Sequence, residues 1–387
     1  MTPDHRTRLE QAAVVCLLGV VTVVPFSIAA AEILLALAIV GWLAVIAAGR
    51  ERLQVPAICW PLAAYAAWTL VSVVFSPDRV ASLSDSKELV LLLIVPMVYR
   101  LAAGRRASTV LEVLISVGAV SAAIGVVQYG ILNYDHLGQR PQGTLGHYMT
   151  YSGTLMLIIG ATTARLLFRT EKRAWPALVM PALLVALALT FTRSAWVGAC
   201  AAIALLFVLK DFRLLAALPV LAALFFALAP QAVTGRVYSM FDLNDPTNRD
   251  RVAMMRAGAH MIRDHPIAGV GPDMVIRLYP QYRDASAVEP INPHLHNVPL
   301  QIAAERGLPA LAAWLWFLVV LARDLWRAFR SGPAPWLPAA GLAALVSMLS
   351  AGLFEYNFGD SEFLVLFLVL VTLPFAAGRA RPAAAGA

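Results

Sequence analysis

Apolar residues recur along this chain in unbroken runs rather than as stripes at helical spacing. Stretches of roughly 17–25 apolar residues are the length a helix needs to cross a bilayer. Such stretches lie near 12–26, 29–48, 56–75, 88–103, 109–132, 147–168, 175–192, 194–209, 214–232, 299–322, 335–356 and 362–377. The pattern predicts an all-α polytopic membrane protein with about twelve transmembrane helices. Residues 1–233 would hold the first nine, 234–297 one large loop with helices, 298–378 the last three, and 379–387 a tail.

Basic residues test that reading, because cytoplasmic connections carry an excess of lysine and arginine. Clusters fall at Arg6/Arg8, Arg50/Arg52, Arg100/Arg105/Arg106, Arg165/Arg169/Lys172/Arg173, Lys210/Arg213, Arg323/Arg327/Arg330 and Arg379/Arg381. These are every second connection, which places both termini in the cytoplasm. The alternate connections then face outward: the turn near Ser27, "SPDRVASLSDSKE", "NYDHLGQRPQGTLG", the tight turn at Arg193, the segment Thr234 to Asn297, and "EYNFGDSE". The start of the chain has a signal-peptide pattern, with Arg6 and Arg8 before an apolar stretch and the small residues of "SIAAAE". A second apolar run follows at once, so the expectation is an uncleaved first helix.

Composition agrees: 60% of the 387 residues are apolar and only 14% are charged, so the solvent of this fold is lipid. The formal charge of +7 comes from short clusters between apolar runs, without the aromatic interleaving of a nucleic-acid surface, and is explained by orientation. Cys16, Cys59 and Cys200 each lie inside an apolar run with no CxxC or Cys/His spacing, so neither a disulfide nor a metal site is expected. The Ala-rich tail "RPAAAGA" reads as disordered.

Within the large loop, the stretch from Asp245 to Gly271 reads as a helix with Thr247 or Asn248 as N-cap, stopped by Pro266 and the glycines Gly269 and Gly271. Arg249, Arg256 and Arg263 recur every seven residues on one face with His260, the pattern of a solvated or headgroup-facing stripe. Arg251 points the other way, with Met255, Gly258 and Ile262, towards the bundle. An inward arginine needs an anionic partner, either a protein carboxylate or a ligand phosphate held by its planar fork. The Arg193 guanidinium either snorkels to lipid headgroups or serves the same purpose.

The stretch "INPHLHNVPLQIAAERG" places titratable groups at the outer mouth of a span. Asn297 suits an N-cap and Pro299 the first helical turn, leaving His296 at the mouth. His294 lies further from the helix that would fix it. Glu305 falls within the first turns, where it either pairs with Arg306 or joins a site. A third outer cluster brings Arg140, His147, Tyr148 and Tyr151 to the entrance of the sixth span, as a sugar pocket or an aromatic belt. No Walker loop, GxSxG, HExxH or magnesium-binding aspartate pair occurs. An outward site lacks nucleotide sugars, so an energy-rich donor must arrive already activated in the membrane, as a lipid-linked diphosphate would.

Four stretches carry a resemblance: "RPQGTLGHYMTYSGTLML", "LTFTRSAWVGACAAIALLF", "NRDRVAMMRAGAHMIRDHPIAGVGPDM" and "HNVPLQIAAERGLPA". In order and setting the chain resembles the O-antigen ligase and polymerase superfamily. The resemblance implies a GT-C-like helical fold and an inverting, metal-independent glycosyltransferase without cofactor at the periplasmic face of the Gram-negative inner membrane. The implied partners are a glycan on undecaprenyl diphosphate as donor, membrane lipids, and, for a ligase, lipid A core as acceptor. A polymerase would instead use another lipid-linked repeat unit. The ligase pattern is His, then Asn, Ser or Gln, nine residues, Gly, two residues, Gly. His296, Asn297 and Gly307 match, and Ala310 replaces the final glycine. By that alignment His296, Arg193 and Arg251 are the expected catalytic residues, with Arg249, Arg256, Arg140, His147, Tyr148, Tyr151, Asn297 and Glu305 binding substrate. A transporter of lipid-linked glycans would instead carry charge near mid-span, where this chain has little.

Overall fold

The computed structural model describes residues 3–379 except positions 50, 243, 285 and 333. Arg50, Arg381 and the Ala-rich tail lie outside the described residues. Within them the chain is all-helical, with nothing more extended than one isolated bridge between His136 and Gln139. Its helices are α1 (Pro3–Val23), α2 (Ile28–Gly49), α3 (Cys59–Phe75), α4 (Arg79–Asp85), α5 (Ile94–Leu101), α6 (Arg105–Gly130), α7 (Tyr148–Phe168), α8 (Ala174–Leu189), α9 (Arg193–Lys210) and α10 (Ala217–Leu228). They continue with α11 (Gln231–Tyr238), α12 (Pro246–Asp264), α13 (Val275–Tyr282), α14 (Val298–Ser331), α15 (Trp336–Gly352) and α16 (Ser361–Ala377).

Helices α2, α6, α7, α9 and α14 are long and apolar enough to cross a membrane, and α3, α8, Phe212–Leu228, α15 and α16 are shorter apolar helices. The chain is thus built as a multi-pass membrane protein. The expected span at 88–103 is different in form. It runs as a 3-10 helix over Ser86–Leu93, and only Ile94–Leu101 is α-helical. Polar residues at its outer half explain this, since Glu88 accepts from the Ser361 hydroxyl at 3.1 Å instead of facing lipid.

α7, α15 and α16 form the centre, buried along almost their whole length. They approach closely because small residues meet at the contacts: Gly160 lies against Ala343 and Ala202, where an added Cβ would sit 3.2 and 3.8 Å away. Close backbone approach is how helices gain dispersion energy in lipid. Charged groups collect at the two ends of the bundle. At one end Arg100 donates to Glu51 at 2.8 and 2.9 Å and to Glu10 at 3.2 Å, while Arg165 donates to Glu112 at 2.6 Å. At the other end lie Arg193, His296 and Arg306.

The segment between α10 and α14 has a small core of its own, in which Met254, Met261, Met274 and Tyr279 pack with Leu295 and with Ala304 of α14. The N-cap of α12 differs from the expected Thr247 or Asn248. Asp245 caps it, accepting from the Thr247 and Asn248 amides at 3.0 and 3.3 Å, with Pro246 next. Asp before Pro is the better start, because proline at the first helical position sacrifices no hydrogen bond. The packed face of α12 is Asp250, Ala253, Met254, Ala257, Gly258 and Met261. Met255, expected inward, is 54% exposed.

α14 is broken at Gly307, whose φ of 79° and ψ of 171° are non-helical. Pro309 has no N–H to offer the Glu305 carbonyl, so the preceding loop supplies the missing partners. The amides of Val270 and Gly271 donate to the carbonyls of Ala304 and Glu305 at 2.8 Å each, and the Leu308 amide donates to the Pro266 carbonyl at 2.9 Å. Ser72 adds hydrogen bonds to the Ala268 and Glu305 carbonyls at 2.6 and 2.9 Å. A Cβ on Gly307 would lie 1.9 Å from the Ile267 oxygen, and one on Gly269 2.3 Å from the Glu305 carbonyl. Gly307→Ala is expected to cost at least about 1–3 kcal/mol, the range for a side chain in a glycine-only conformation, before the backbone clash is counted. Thermal unfolding in nanodiscs reads this as a lowered Tm. An unchanged Tm would mean that the break is not held by Gly307.

Candidate active site

Arg193 opens α9 and its side chain is only 4% exposed. The turn before it is tight enough that Phe191, a buried aromatic, takes a φ of 55°, a conformation bulky residues rarely adopt. The guanidinium is held by protein on one side. Nη1 donates to the Ser239 carbonyl at 2.9 Å and to its hydroxyl at 3.2 Å, and Nη2 to Asp245 Oδ1 at 3.4 Å. Asp245 also lies 3.8 Å from Arg236 Nη1. One carboxylate therefore serves two arginines and a helix N-terminus.

More positive charge surrounds it. Burial lowers the pKa of Arg140, Arg236 and Arg251, and the Arg193 charge lowers all three further. Arg236 is brought down to about 10, which leaves it charged at neutral pH. Burial pushes Asp245 up, but Arg193, the α12 amides and Arg236 outweigh it and leave it below the usual carboxylate range. Arg251 has its Nε buried without a hydrogen-bond partner among the described residues, and its guanidinium lies 6.0 Å from the centre of the Phe354 ring. Arg140 sits 4.1 Å over the ring of Tyr148. Guanidinia gathered with too few carboxylates form a site for an anion.

Beside this group stands His296. Asn297 caps α14, its Oδ1 accepting from the Leu300 amide at 2.9 Å while Nδ2 donates to the Leu353 carbonyl at 3.1 Å. His296 precedes the cap with a φ of 47°, in the left-handed region. Its loop is tied down by Gln301, which accepts from the Leu295 amide at 2.7 Å, and by buried Asp250, which accepts from Val288, Glu289 and Asn292. The strained backbone turns the imidazole towards Glu355, whose Oε1 lies 3.0 Å from Nδ1. Burial pushes the Glu355 carboxyl up, but His296, the Tyr356 amide and His294 outweigh it and hold it below the usual range. Glu355 is therefore ionised at neutral pH and placed to accept a proton from His296 Nδ1.

The other expected site residues divide. His147 stacks on Tyr148 with ring centres 5.2 Å apart and reaches the same region. Glu305 is buried and accepts from Arg306 at 2.6 Å. His294 lies with its ring 5.6 Å from that of His296. Three residues stand apart. Tyr151 is fully buried, its hydroxyl donating to the Ser121 carbonyl at 2.8 Å, and so belongs to the core. Arg256 is exposed and paired with Asp284 at 3.0 Å, and Arg249 is exposed on the same outer face of α12. The heptad spacing that links them puts both on the side away from the site.

Arg236 and Glu355 were not singled out from sequence. Arg236 lies in the outer segment beyond Thr234, and the argument that made Arg193 notable applies to it equally. Glu355 lies in "EYNFGDSE" with Asp360 and Glu362, and nothing in the sequence separates it from those carboxylates.

No curated protein matches the chain. Residues 176–315, which include Arg193, Arg236, Arg251 and His296 but stop short of Glu355, match the family model described as O-antigen ligase.

Proposed function

We propose that this protein is an O-antigen ligase: a membrane glycosyltransferase that moves a glycan from undecaprenyl diphosphate to a sugar hydroxyl of lipid A core. The observation that carries this reading is the gathering of Arg193, Arg236, Arg251 and Arg140 beside a histidine held by a carboxylate. A diphosphate leaving group develops negative charge as the anomeric C–O bond breaks. Guanidinia already fixed around it stabilise that charge without reorganising at the moment of reaction.

His296 Nε2 accepts the proton of the attacking hydroxyl, and Glu355 stabilises the imidazolium that results. The hydroxyl oxygen bonds to the anomeric carbon on the face opposite the departing diphosphate, which inverts that centre. The chemistry calls for positioning, a base and charge neutralisation, all from side chains and without a metal. In this reading the chain spans the inner membrane of a Gram-negative cell about twelve times in a GT-C-like arrangement. Both termini are cytoplasmic, and residues 234–297 form a periplasmic lid.

The test is reconstitution with lipid-linked glycan, supplying in separate reactions lipid A core and no second acceptor. A ligase joins glycan to lipid A core and leaves the lipid-linked repeat unextended. Chain growth without lipid A core would make the protein a polymerase, and the absence of any transfer would remove the glycosyltransferase reading.

A further inference from the structure

Beside Glu355 the structure forms a cavity of about 350 Å³, on the scale of small-ligand sites. Its charge is the reverse of the arginine side. Asp85, Glu88, Asp273, Glu305, Glu355 and Asp360 all line it. Arg306 is the one guanidinium on its wall among the described residues, and its Nη atoms are engaged by Glu305 at 2.6 Å, Tyr356 at 3.3 Å and Asp85 at 3.2 Å. Against these six carboxyls the wall sets one arginine and the imidazoles of His147 and His294. Burial raises the carboxyls of Asp85 and Asp360, and nearby acidic groups raise them further.

The wall also keeps unspent hydrogen-bonding capacity. Asn357 is 6% exposed and Arg306 7%, and Asn357 Oδ1 and Arg306 Nε have no partner among the described residues. Glu355 Oε2 likewise has none. Groups this buried are ordinarily satisfied, so their presence around an open volume points to a polar occupant. Among the described residues no three His, Cys, Asp or Glu are placed to hold a metal ion.

We propose that this cavity is the acceptor subsite, which takes a neutral or ammonium-bearing sugar ring and rejects a phosphorylated or carboxylated one. The proposal rests on the glycosyl-transfer reading for its role, and on the cavity alone for its selectivity. Sugar hydroxyls donate to ionised carboxylates in short, charge-assisted hydrogen bonds. An anionic substituent would face the same carboxylates while the Arg306 Nη atoms are already engaged by protein groups, and selectivity arises as much from that repulsion as from attraction. Glu355 joins the two compartments, since it lines the cavity and holds His296. A ring seated there lies against the carboxylate that holds the base, while the arginines hold the diphosphate apart from the acidic wall.

The experiment is saturation-transfer NMR on the full chain in nanodiscs, without donor, with glucose, glucosamine, glucose 6-phosphate and glucuronate as probes. Glucose and glucosamine are expected to give signal, and the two anionic sugars at least tenfold less. In Asp273→Asn, which keeps a residue tolerant of the positive φ at that position (58°), and separately in Asp85→Asn, the discrimination should narrow. Anionic sugars binding as well as glucose, or no signal from any probe, would overturn the proposal. Because no transfer is involved, an inactive protein that still discriminates among these sugars would refute the enzymatic reading alone.

Discussion

His296→Asn is expected to slow glycan transfer by about 10²–10⁴-fold, the range for removing a general base, while leaving donor binding unchanged. Asparagine is the informative replacement because it tolerates the left-handed backbone that His296 occupies, with φ 47°. Its amide has no basic nitrogen, so the fold is kept and the proton acceptor removed. Glu355→Gln tests the same pair from the other side. The hydrogen bond to Nδ1 can persist, but the charge that stabilises the imidazolium is gone, and a loss of roughly 10²-fold or more is expected by analogy with serine-protease triads. His294→Ala should cost far less, since its ring borders His296 without holding it. Single-turnover transfer followed on a gel, with a thermal melt of each variant, provides the measurement. Activity of His296→Asn within about threefold of the parent, far below the general-base range, would rule out the base role.

The two halves of this site were unequally legible in the sequence. Arg193 and His296 were legible because each breaks a strong local rule. One is a basic residue in a connection that the alternation of basic clusters leaves without a reason for it, and the other is a titratable group at the start of an apolar span. Arg251 was found by helical phase, with its Nε now seen buried, but the same phase argument misjudged Met255. A face of α12 is set by which elements press on it, and those are Leu295 and Leu300 from a segment some forty residues later. Glu355 could not be tied to His296 from sequence, because the pairing depends on the α15–α16 connection reaching the mouth of α14. Long-range contacts of that kind leave no periodicity.

Gly307 shows a different limit. It matches the ligase pattern around His296, and Ala310, which replaces the second glycine of that pattern, is fully buried, as close packing requires. Packing is only part of the reason for Gly307. The residue breaks α14 so that the loop from Pro266 to Gly271 can bond to the freed carbonyls. That break detaches the first turns of α14 from the membrane-spanning remainder and fixes Glu305 and Arg306 on the cavity wall. Conformation at a single residue thus connects the loop to both compartments.

Arg193→Ala is expected to lower transfer by about 10²–10³-fold, the cost of deleting one preorganised electrostatic donor, and to weaken donor binding as well. Both effects follow from its position. Ser239 and Asp245 grip the guanidinium through Nη1 and Nη2, so it meets a diphosphate without losing side-chain entropy. Asp245 does double duty as the cap of α12, so removing Arg193 also loosens the start of the helix that carries Arg251. Arg193→Lys keeps the charge but cannot span Ser239 and Asp245 with one planar fork, and should recover only part of the activity. Arg236→Ala should fall between parent and Arg193→Ala, because Asp245 holds it at 3.8 Å, more loosely than Arg193 at 3.4 Å. Arg249→Ala and Arg256→Ala lie on the exposed face and should change transfer by less than about twofold, as surface pairs do. The measurement is transfer rate together with binding of a lipid diphosphate that lacks the glycan. Unchanged binding in Arg193→Ala would remove this residue from the diphosphate site, and a large loss in Arg256→Ala would place that site on the wrong face of α12.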